Sequence, residues 1–289
     1  MHYGIILPNM DVDARTLATL ASLAEATGWD GVFVWDCIYG SPINEPERRE
    51  TCDAWMALAA MAMCTGRVRL GTLVTPLSRR RPWNVARQTV TLDHLSQGRL
   101  ILPVGLGAAT EGGFARVGEE LDRKRRAEML DEALEVLTGL WSGRPFSYSG
   151  RHYRMQEMTF LPSPVQSPRI PIWVVGAWPR MKSMRRTLRW DGILANKMHE
   201  DGSFTQMTPA DIQVMKAFIE EQREPLTPFE IVVEGETDGS DRAGAAAIVG
   251  PFAQVGVTWW LEDLWGCAET NGGVEGMRVR IRQGPPWVE

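Results

Sequence analysis

Histidine and cysteine are scarce in this sequence, with four of each among 289 residues. No two histidines stand at the spacing of metal ligands, and no two cysteines form a CxxC motif, so we expect no metal site. Four cysteines in a chain of this length do not make a disulfide framework either. The sequence therefore predicts free thiols in a reducing cytoplasm and argues against a metal-dependent hydrolase.

Long apolar runs and long basic stretches are also missing. No segment reaches the roughly 18 apolar residues of a membrane-spanning helix, and the N-terminus lacks the pattern of a secretory signal. The net charge is −5, and the basic stretches at 79–81 and 123–126 are too short to follow a phosphate backbone. We therefore expect a cytoplasmic protein with a small-molecule substrate, and neither nucleic acid nor a membrane as a partner.

Short β-branched runs alternate with amphipathic helical patterns along the chain. The runs that we interpret as strands cover residues 3–7, 31–35, 68–74, 99–104, 172–175, 191–194, 231–234 and 257–261. Eight strands that alternate with helices predict a parallel α/β architecture, and eight closed units form a (β/α)8 TIM barrel. No composition shift marks a domain boundary, so we expect a single domain over residues 1–289.

The alternation is interrupted once, before the fifth strand. Residues 146–148 and 152–154, joined at Ser149 and Gly150, predict a small hairpin insertion, and the proline-rich LPSPVQSPRIP after it predicts an extended connector. An open doubly wound sheet is the alternative architecture. It would carry GxGxxG after the first strand, where this chain has Pro8-Asn9-Met10, so the barrel is favoured.

Functional residues of such a barrel follow the strands at their carboxyl ends. These positions hold Pro8, Asn9, Asp36, Cys37, Thr75, Gly105, Gly107, Gly176, Ala177, Trp178, Asn196, Lys197, Glu234 and Glu262. The set is poor in metal ligands, and no GxSxG motif of a serine hydrolase is present. Glycines at two strand ends let backbone N–H groups approach a phosphate or a flat ring, but they also serve plain turns. Both interpretations stay open at this point.

Several segments together resemble one known family. Residues 70–108 read LGTLVTPLSRRRPWNVARQTVTLDHLSQGRLILPVGLGA, 29–36 read WDGVFVWD, and 126–153 read RAEMLDEALEVLTGLWSGRPFSYSGRHY. Taken in their order along the chain, and together with PSPVQSPRIPIWVVGAWP and RVRIRQGPP further along, these segments resemble the luciferase-like flavin-dependent enzymes. The resemblance covers most of the chain and implies a luciferase-like barrel with redox activity on a small organic molecule.

The resemblance also implies where a cofactor would bind. The flavin ring of this family lies at the carboxyl-terminal mouth of the barrel, over a non-proline cis peptide that corresponds to Leu73–Val74, with Thr75 next to it. Phosphate contacts of the family map to the loop after the fifth strand, at Gly176, Ala177 and Trp178. The GxG motif after the fourth strand maps to Gly105 and Gly107, for which a tight turn is the second interpretation.

Two departures from the family pattern concern catalysis. Many members carry His directly after the acidic residue that ends the second strand, where this chain has Cys37 after Asp36. Members that oxidise sugar phosphates carry Glu shortly after GxG, where this chain has Ala108. We therefore do not expect that activity. Asp36 and Cys37 remain the candidate catalytic residues, with a turn-capping role for Asp36 and a place in the pocket wall for Cys37 as alternatives.

The resemblance leaves two cofactors open. Reduced FMN with oxygen would make the protein a monooxygenase supplied by a separate flavin reductase, whereas coenzyme F-420, with or without its own reductase, would transfer a hydride. A homodimer is one expected assembly, since members are often dimers. The rivals are a non-catalytic flavin-binding relative and an aldo-keto type reductase, which needs a strand-end tyrosine that only Tyr39 could supply.

Two further groups of residues carry expectations about the mouth of the barrel. Residues 79–81 are three consecutive arginines in the loop after the third strand, where a solvated loop is the favoured interpretation over contact with an anionic cofactor. Four of the twelve tryptophans stand at or near predicted strand ends, and we expect some of them to line the substrate pocket: Trp178, Trp259, Trp260 and Trp265.

Overall fold

The computed structural model describes residues 1–38, 49–109, 112–223, 228–270 and 272–288. Its strands are β1 (His2–Leu7), β2 (Gly31–Val34), β3 (Arg69–Thr72), β4 (Thr75–Pro76), β5 (Leu102–Gly105), β6 (Pro145–Ser149), β7 (Arg154–Thr159), β8 (Ile172–Trp178), β9 (Gly192–Met198), β10 (Phe204–Thr205), β11 (Glu230–Gly235) and β12 (Trp259–Asp263). Its helices are α1 (Ala14–Ala26), α2 (Ala54–Cys64), α3 (Pro82–Leu95), α4 (Gly112–Ala115), α5 (Arg123–Trp141), α6 (Met181–Thr187), α7 (Pro209–Gln222), α8 (Arg242–Val255), α9 (Trp265–Thr270) and α10 (Val274–Arg282).

The main sheet curls into a nearly closed parallel barrel. Its strand order is β3-β2-β1-β12-β11-β9-β8-β5-β4, with every neighbouring pair parallel where the two strands bond. A bridge between Leu70 and Leu100 joins β3 to the chain entering β5 and closes the ring. Because β3 and β4 are two parts of one interrupted strand, the eight predicted strands and the TIM barrel are confirmed.

The hairpin before the fifth barrel strand is also present, but its second strand lies later than predicted. β6 and β7 pair in antiparallel fashion, and β7 starts at Arg154 rather than at residue 152. The reason is a tertiary contact with α5. The Glu132 carboxylate accepts hydrogen bonds from the backbone N–H groups of Arg151, His152 and Tyr153 at 2.8–3.0 Å, which holds these residues in a turn.

Three aromatic side chains fill the lower half of the barrel. The rings of Phe33, Trp173 and Trp259 lie with centroids 5.3–6.2 Å apart. Glycines on the surrounding strands leave the space for these rings, since an added Cβ would lie 2.6–3.0 Å from one of them: Gly4, Gly31, Gly71 and Gly192. The barrel is therefore a packed core below its mouth, as expected for this architecture.

The helices follow from local signals in the sequence. Asp13 caps α1, as predicted, by accepting hydrogen bonds from the N–H groups of Arg15 and Thr16. Pro82 occupies the first turn of α3, where its missing N–H costs nothing. Of the helices in the described part of the chain, none combines the length and the apolar composition that a membrane crossing needs.

Glu25 anchors the loop that leads into β3. Its carboxylate accepts hydrogen bonds from the backbone N–H groups of Gly66, Arg67 and Val68 at 2.5–3.0 Å. Burial raises the pKa of this carboxyl, but the three backbone bonds and the charge of Arg67 outweigh it, so the net pKa lies below the ordinary 4.5. The loop is therefore held by a group whose contribution depends on pH.

We expect Glu25→Gln to lower the free energy of unfolding by about 2 kcal/mol at pH 7, because hydrogen bonds to a charged acceptor are lost. Since the folded pKa is depressed, the contribution of Glu25 is complete above pH of about 4.5 and disappears as the pH falls through the folded pKa. Urea unfolding at pH 7 and pH 3.5 measures the free energy of unfolding of the parent protein and of Glu25→Gln. The difference between variant and parent should shrink at the lower pH, whereas the control Glu220→Gln, an exposed pair with Lys216, should change little at either pH. An equal difference at both pH values would contradict the assignment.

Candidate functional site

Acidic side chains point into the barrel at the carboxyl ends of two neighbouring strands. The barrel interior contains Val232 of β11 and Leu261 of β12. Because side chains alternate along a strand, Glu234 and Asp263, each two residues further on, face the interior one layer higher. This layer forms the mouth of the barrel, where enzymes of this architecture place their active sites.

A cavity of about 430 Å³ opens at this mouth. Its apolar wall consists of one residue of β1, of residues that follow the first three strands, and of the first residue of α9: Ile6, Met10, Trp35, Leu73 and Trp265. The rings of Trp35 and Trp265 meet edge to face at 5.7 Å. Arg49, Glu234 and Asp263 add charged groups to the lining. A concave site that combines apolar walls with a few charged groups can bind a small molecule.

Glu234 has an unusual proton affinity for a glutamate. Burial raises its pKa, and the nearby carboxylate of Asp263 raises it further, to about 7. The side chain is nevertheless partly accessible, and it lines the cavity. A carboxyl group of this kind exists in both protonation states near neutral pH and can accept or donate a proton there.

Asp36, a predicted catalytic residue, lies buried at the end of β2 with 2% of its surface exposed. Arg80 donates to both carboxylate oxygens, at 2.6 and 2.7 Å. Arg79 Nη2 lies 3.5 Å from one of these oxygens, and Trp55 Nε1 lies 3.3 Å from the other. Each oxygen thus accepts two donors, which uses the four lone-pair positions of a carboxylate. The geometry suits a group that orients arginines, and a catalytic role for Asp36 stays a prediction.

The prediction of a solvated loop for the three arginines was wrong for two of them. Arg79 is 8% exposed and also donates to the backbone carbonyl of Asp36 at 2.6 Å. The Arg80 side chain is 19% exposed, and only Arg81, before α3, is turned to solvent. The contacts join residues more than 40 positions apart, so the local sequence did not reveal them.

Cys37, the second predicted catalytic residue, is buried directly after Asp36. Its role as a nucleophile or as part of the wall stays a prediction. Tyr39, which the aldo-keto alternative required, lies outside the described residues. Ala108, at the position where some relatives carry Glu, is exposed.

The interrupted third strand matches its prediction. The Leu73–Val74 peptide bond is cis, and Leu73 lines the cavity. Thr75 is buried, and its hydroxyl lies 2.7 Å from that of Thr72. Gly105 of β5 lies alongside, where an added Cβ would come within 3.0 Å of Val74. The contact of these residues with a cofactor stays a prediction.

The other glycine positions serve local structure. Gly107 has φ of +72°, as a tight turn requires, and an added Cβ would lie 2.7 Å from the ring of Phe114. We predicted that Gly176, Ala177 and Trp178 form the loop after the fifth strand, and this prediction was wrong. They are the last residues of β8, and α6 begins only at Met181.

Two of these β8 residues already have structural partners. The Ala177 N–H donates to Ser183 Oγ at 3.0 Å, and a Cβ on Gly176 would lie 2.2 Å from Ile193. The strand is longer than predicted because its pairing with β9 continues to Trp178 opposite Lys197. The binding of phosphate at these three residues therefore stays a prediction.

The four tryptophans that we expected near the mouth lie in different parts of the barrel. Only Trp265 of the four expected candidates lines the mouth. Trp259 lies in the lower barrel because the last strand runs two residues later than predicted, over Trp259–Asp263. Trp260 contacts Phe252 of α8, and Trp178 contacts Phe218 of α7, so both face the helices.

Sequence reasoning missed part of the mouth. Glu234 stood among the strand-end residues but was not selected, and Asp263 and Arg49 were not considered. The signal for the two carboxylates was present, because each stands two residues after an apolar residue of a predicted strand and shares its face. Within the described residues, no group of three potential ligands could hold a metal ion.

Comparison with known proteins found a matching family, relatives in sequence and solved structures with the same fold. A family model described as luciferase-like monooxygenase matches residues 1–243. An uncharacterised protein of Mycobacterium tuberculosis H37Rv is 30% identical over 227 residues, 74% of each chain. An F420-dependent glucose-6-phosphate dehydrogenase of Nocardia farcinica is 33% identical over 170 residues, 57% of this chain and 48% of its own. The solved structure of monooxygenase RslO1 from Streptomyces bottropensis shares the fold, with a TM-score of 0.70, 19% identity and coverage of 98% and 97%.

Proposed function

Because this chain belongs to the luciferase-like monooxygenase family, we propose that it is an oxidoreductase that binds the deazaflavin coenzyme F-420 at the barrel mouth. It would move two electrons between this cofactor and a small alcohol or ketone. The observation that carries the proposal is the cavity of about 430 Å³ that Leu73, Trp35 and Glu234 share at the carboxyl ends of the strands.

The residues around β4 fit a flat ring. Leu73 lines the cavity, and Val74 packs against the apolar residues of the barrel interior. Gly105 allows β5 to lie close to Val74, since an added Cβ would come within 3.0 Å of it. Deazaflavin, when bound, supplies a hydride acceptor and donor at the central carbon of its ring. The protein contributes the apolar walls, which exclude water and orient the reactants.

The choice of F-420 rests on similarity and on the charged groups of the mouth. A relative with 33% identity is named as F420-dependent, and oxidation of an alcohol needs a proton acceptor such as Glu234. Reduced FMN with oxygen is the alternative that the description of the family supports. We do not propose a sugar phosphate as the substrate, since Cys37 and Ala108 stand where the relatives that oxidise sugar phosphates carry His and Glu.

A cofactor titration of the purified protein tests this proposal. F-420, FMN and reduced FMN are added separately and followed by visible absorbance and tryptophan quenching, since Trp35 and Trp265 line the cavity. We expect F-420 to bind with a Kd in the micromolar range and FMN to bind more weakly. Binding of reduced FMN alone, with oxygen consumption, would replace the proposal by a monooxygenase, and binding of neither would overturn it.

Two glycine substitutions test whether F-420 binds beside Leu73 and Val74. Gly105→Val should weaken F-420 binding at least tenfold, because an added Cβ would lie 3.0 Å from Val74 and would displace the Leu73–Val74 segment on which we propose that the ring lies. Gly66→Ala, in the exposed loop before β3, is the control for a glycine replacement away from the mouth, since a Cβ there meets nothing within 4 Å. Equal affinities of the two variants would show that the ring binds elsewhere.

A further inference from the structure

We propose that Glu234 is the catalytic residue that exchanges a proton with the substrate at this mouth. The inference rests on the proposed function and deepens it, since it assigns the acid/base role that the family pattern leaves vacant at Cys37 and Ala108. Glu234 lies on β11, the seventh strand of the barrel, on the opposite side of the cavity from the second and third strands.

The position of Glu234 is fixed by regular structure on both sides. β11 pairs with β12 through Glu234 opposite Leu261, and with β9 through Val232 opposite Leu194. The side chain therefore projects from a central strand into the cavity that Leu73 also lines. A group on a paired strand keeps its position better than a group on a loop, which suits proton transfer at hydrogen-bond distance.

Among the residues that the structure describes, the charges around Glu234 can be named element by element. Asp263 faces it from β12, and Arg49, which forms an ion pair with Asp11 at 2.8 Å, lines the cavity from the segment before α2. β1 presents the uncharged Ile6, and the segment between β3 and β4 presents the uncharged Leu73. From β9, alternation after Leu194 directs the uncharged Asn196 inward. Burial and Asp263 together raise the pKa of Glu234 to about 7, which matches a residue that exchanges protons near neutral pH.

Other titratable groups at this end of the barrel are less suitable. The Asp36 carboxylate accepts from Arg79, Arg80 and Trp55 at all four lone-pair positions. His199, which follows β9, lies 3.0 Å from Thr205 Oγ1 and is exposed. Neither residue lines the cavity.

The proton transfer balances with the redox step as follows. In alcohol oxidation, the substrate O–H bond breaks and its proton goes to the Glu234 carboxylate. The C–H bond on the same carbon breaks, its electron pair leaves with the hydrogen as a hydride to oxidised deazaflavin, and the C–O bond becomes a carbonyl. The substrate is oxidised, the deazaflavin is reduced, and Glu234 later releases its proton to solvent. Carbonyl reduction is the reverse sequence.

The first arm of the test needs no cofactor. Tryptophan fluorescence of the purified protein is followed from pH 5 to 9, because Trp35 and Trp265 line the same cavity as Glu234. We expect a transition with a midpoint near pH 7 that is lost in Glu234→Gln. In Asp263→Asn the midpoint should move to lower pH, since a carboxylate that opposes the ionisation of Glu234 is removed. A parent protein without such a transition, or one that Glu234→Gln leaves in place, would overturn the proposal.

The second arm measures turnover. Oxidised F-420 is mixed with 2-propanol, 2-butanol or cyclohexanol, and its reduction is followed by absorbance. Glu234→Gln should lower kcat about 10²- to 10⁴-fold, the usual contribution of a positioned acid or base, while the Kd of F-420 changes less than threefold. Glu230→Gln, at the other end of the same strand, is the matched control and should retain activity. In Asp263→Asn the pH midpoint of kcat should move to lower pH together with that of the fluorescence.

The outcomes separate the two proposals. If F-420 does not bind or no alcohol is oxidised, the proposed function fails, and the fluorescence arm still decides whether Glu234 titrates in the cavity. If F-420 binds and Glu234→Gln turns over as fast as the parent protein, the assignment of Glu234 fails and the proposed function stands.

Discussion

Replacing Arg280 by methionine is expected to lower the free energy of unfolding by about 3–5 kcal/mol, because the change leaves a buried carboxylate without its cation. Arg280 lies on α10 and is 4% exposed. Its guanidinium donates to Glu262 Oε1 at 3.1–3.2 Å, to Thr237 Oγ1 at 3.0 Å and to the Gly284 carbonyl at 2.8 Å. Glu262, at the end of β12, also accepts from the Thr237 N–H and Trp260 Nε1.

This network joins the last helix to the barrel. Glu262 comes from the last strand, Thr237 from the segment after β11 and Arg280 from α10, so one buried ion pair holds three parts of the chain together. Next to it, the Ile281 carbonyl accepts from Trp29 Nε1 and Thr27 Oγ1, which binds α10 to the end of α1. Loss of the Arg280 contacts should therefore also loosen the C-terminal helix.

Urea unfolding followed by circular dichroism measures the effect, with Arg278→Met as the control on the same helix. Arg278 lies 3.4 Å from Glu275 in an exposed pair, and its replacement should change the unfolding free energy by less than about 0.5 kcal/mol. Adding Glu262→Leu to Arg280→Met should restore part of the stability, because the unpaired buried charge is removed. Equal stabilities of the Arg280 and Arg278 variants would show that the pair does not hold the helix.

The second large effect is expected for Asp36→Asn, again about 3–5 kcal/mol of unfolding free energy. Its carboxylate is the shared anion for Arg79 and Arg80, and the side chains of Asp36 and Arg79 are each about 1% exposed. An asparagine offers one acceptor oxygen and no charge, so two guanidinium groups would lose their counterion inside the protein. The loop between β4 and α3 should become less ordered as a result.

Asp131→Asn is the matched control for this change. Asp131 also accepts two hydrogen bonds from one arginine, Arg186, but its side chain is 38% exposed, so its loss should cost about 1 kcal/mol or less. The comparison also separates two roles of Asp36. If Asp36 only positions arginines, folded Asp36→Asn protein should keep kcat within about tenfold. If kcat falls about 10³-fold while stability is unchanged, Asp36 is catalytic and our interpretation of the cluster is wrong.

The alternating pattern of the sequence predicted the barrel well, because buried parallel strands and amphipathic helices carry strong local signals. Boundaries were less predictable where a partner strand or a side chain from another element sets them. β8 continues to Trp178 because β9 pairs along its whole length, and β7 starts late because Glu132 of α5 holds the turn. No local signal in the sequence could show either contact.

The site was predictable only in outline. Periodicity placed Asp36 and Glu234 equally at strand ends, and the family resemblance drew attention to Asp36. Tertiary structure distinguished them, since Asp36 is enclosed by two arginines from the loop after β4, whereas Glu234 faces the cavity beside Asp263. The charge state and accessibility of a carboxyl group depend on neighbours from distant parts of the chain. The sequence alone does not show which residues become these neighbours.

The sequence by itself determined the class of architecture and the family, and it predicted the end of the barrel for the candidate site, because each depends on short patterns repeated in a fixed order. Only the tertiary structure decided which side chains meet at the mouth. It buried Arg79, placed Trp259 below the cavity and brought Glu234 next to Asp263. Burial and electrostatic pairing arise from contacts between residues far apart in sequence, and these contacts exist only once the barrel has closed.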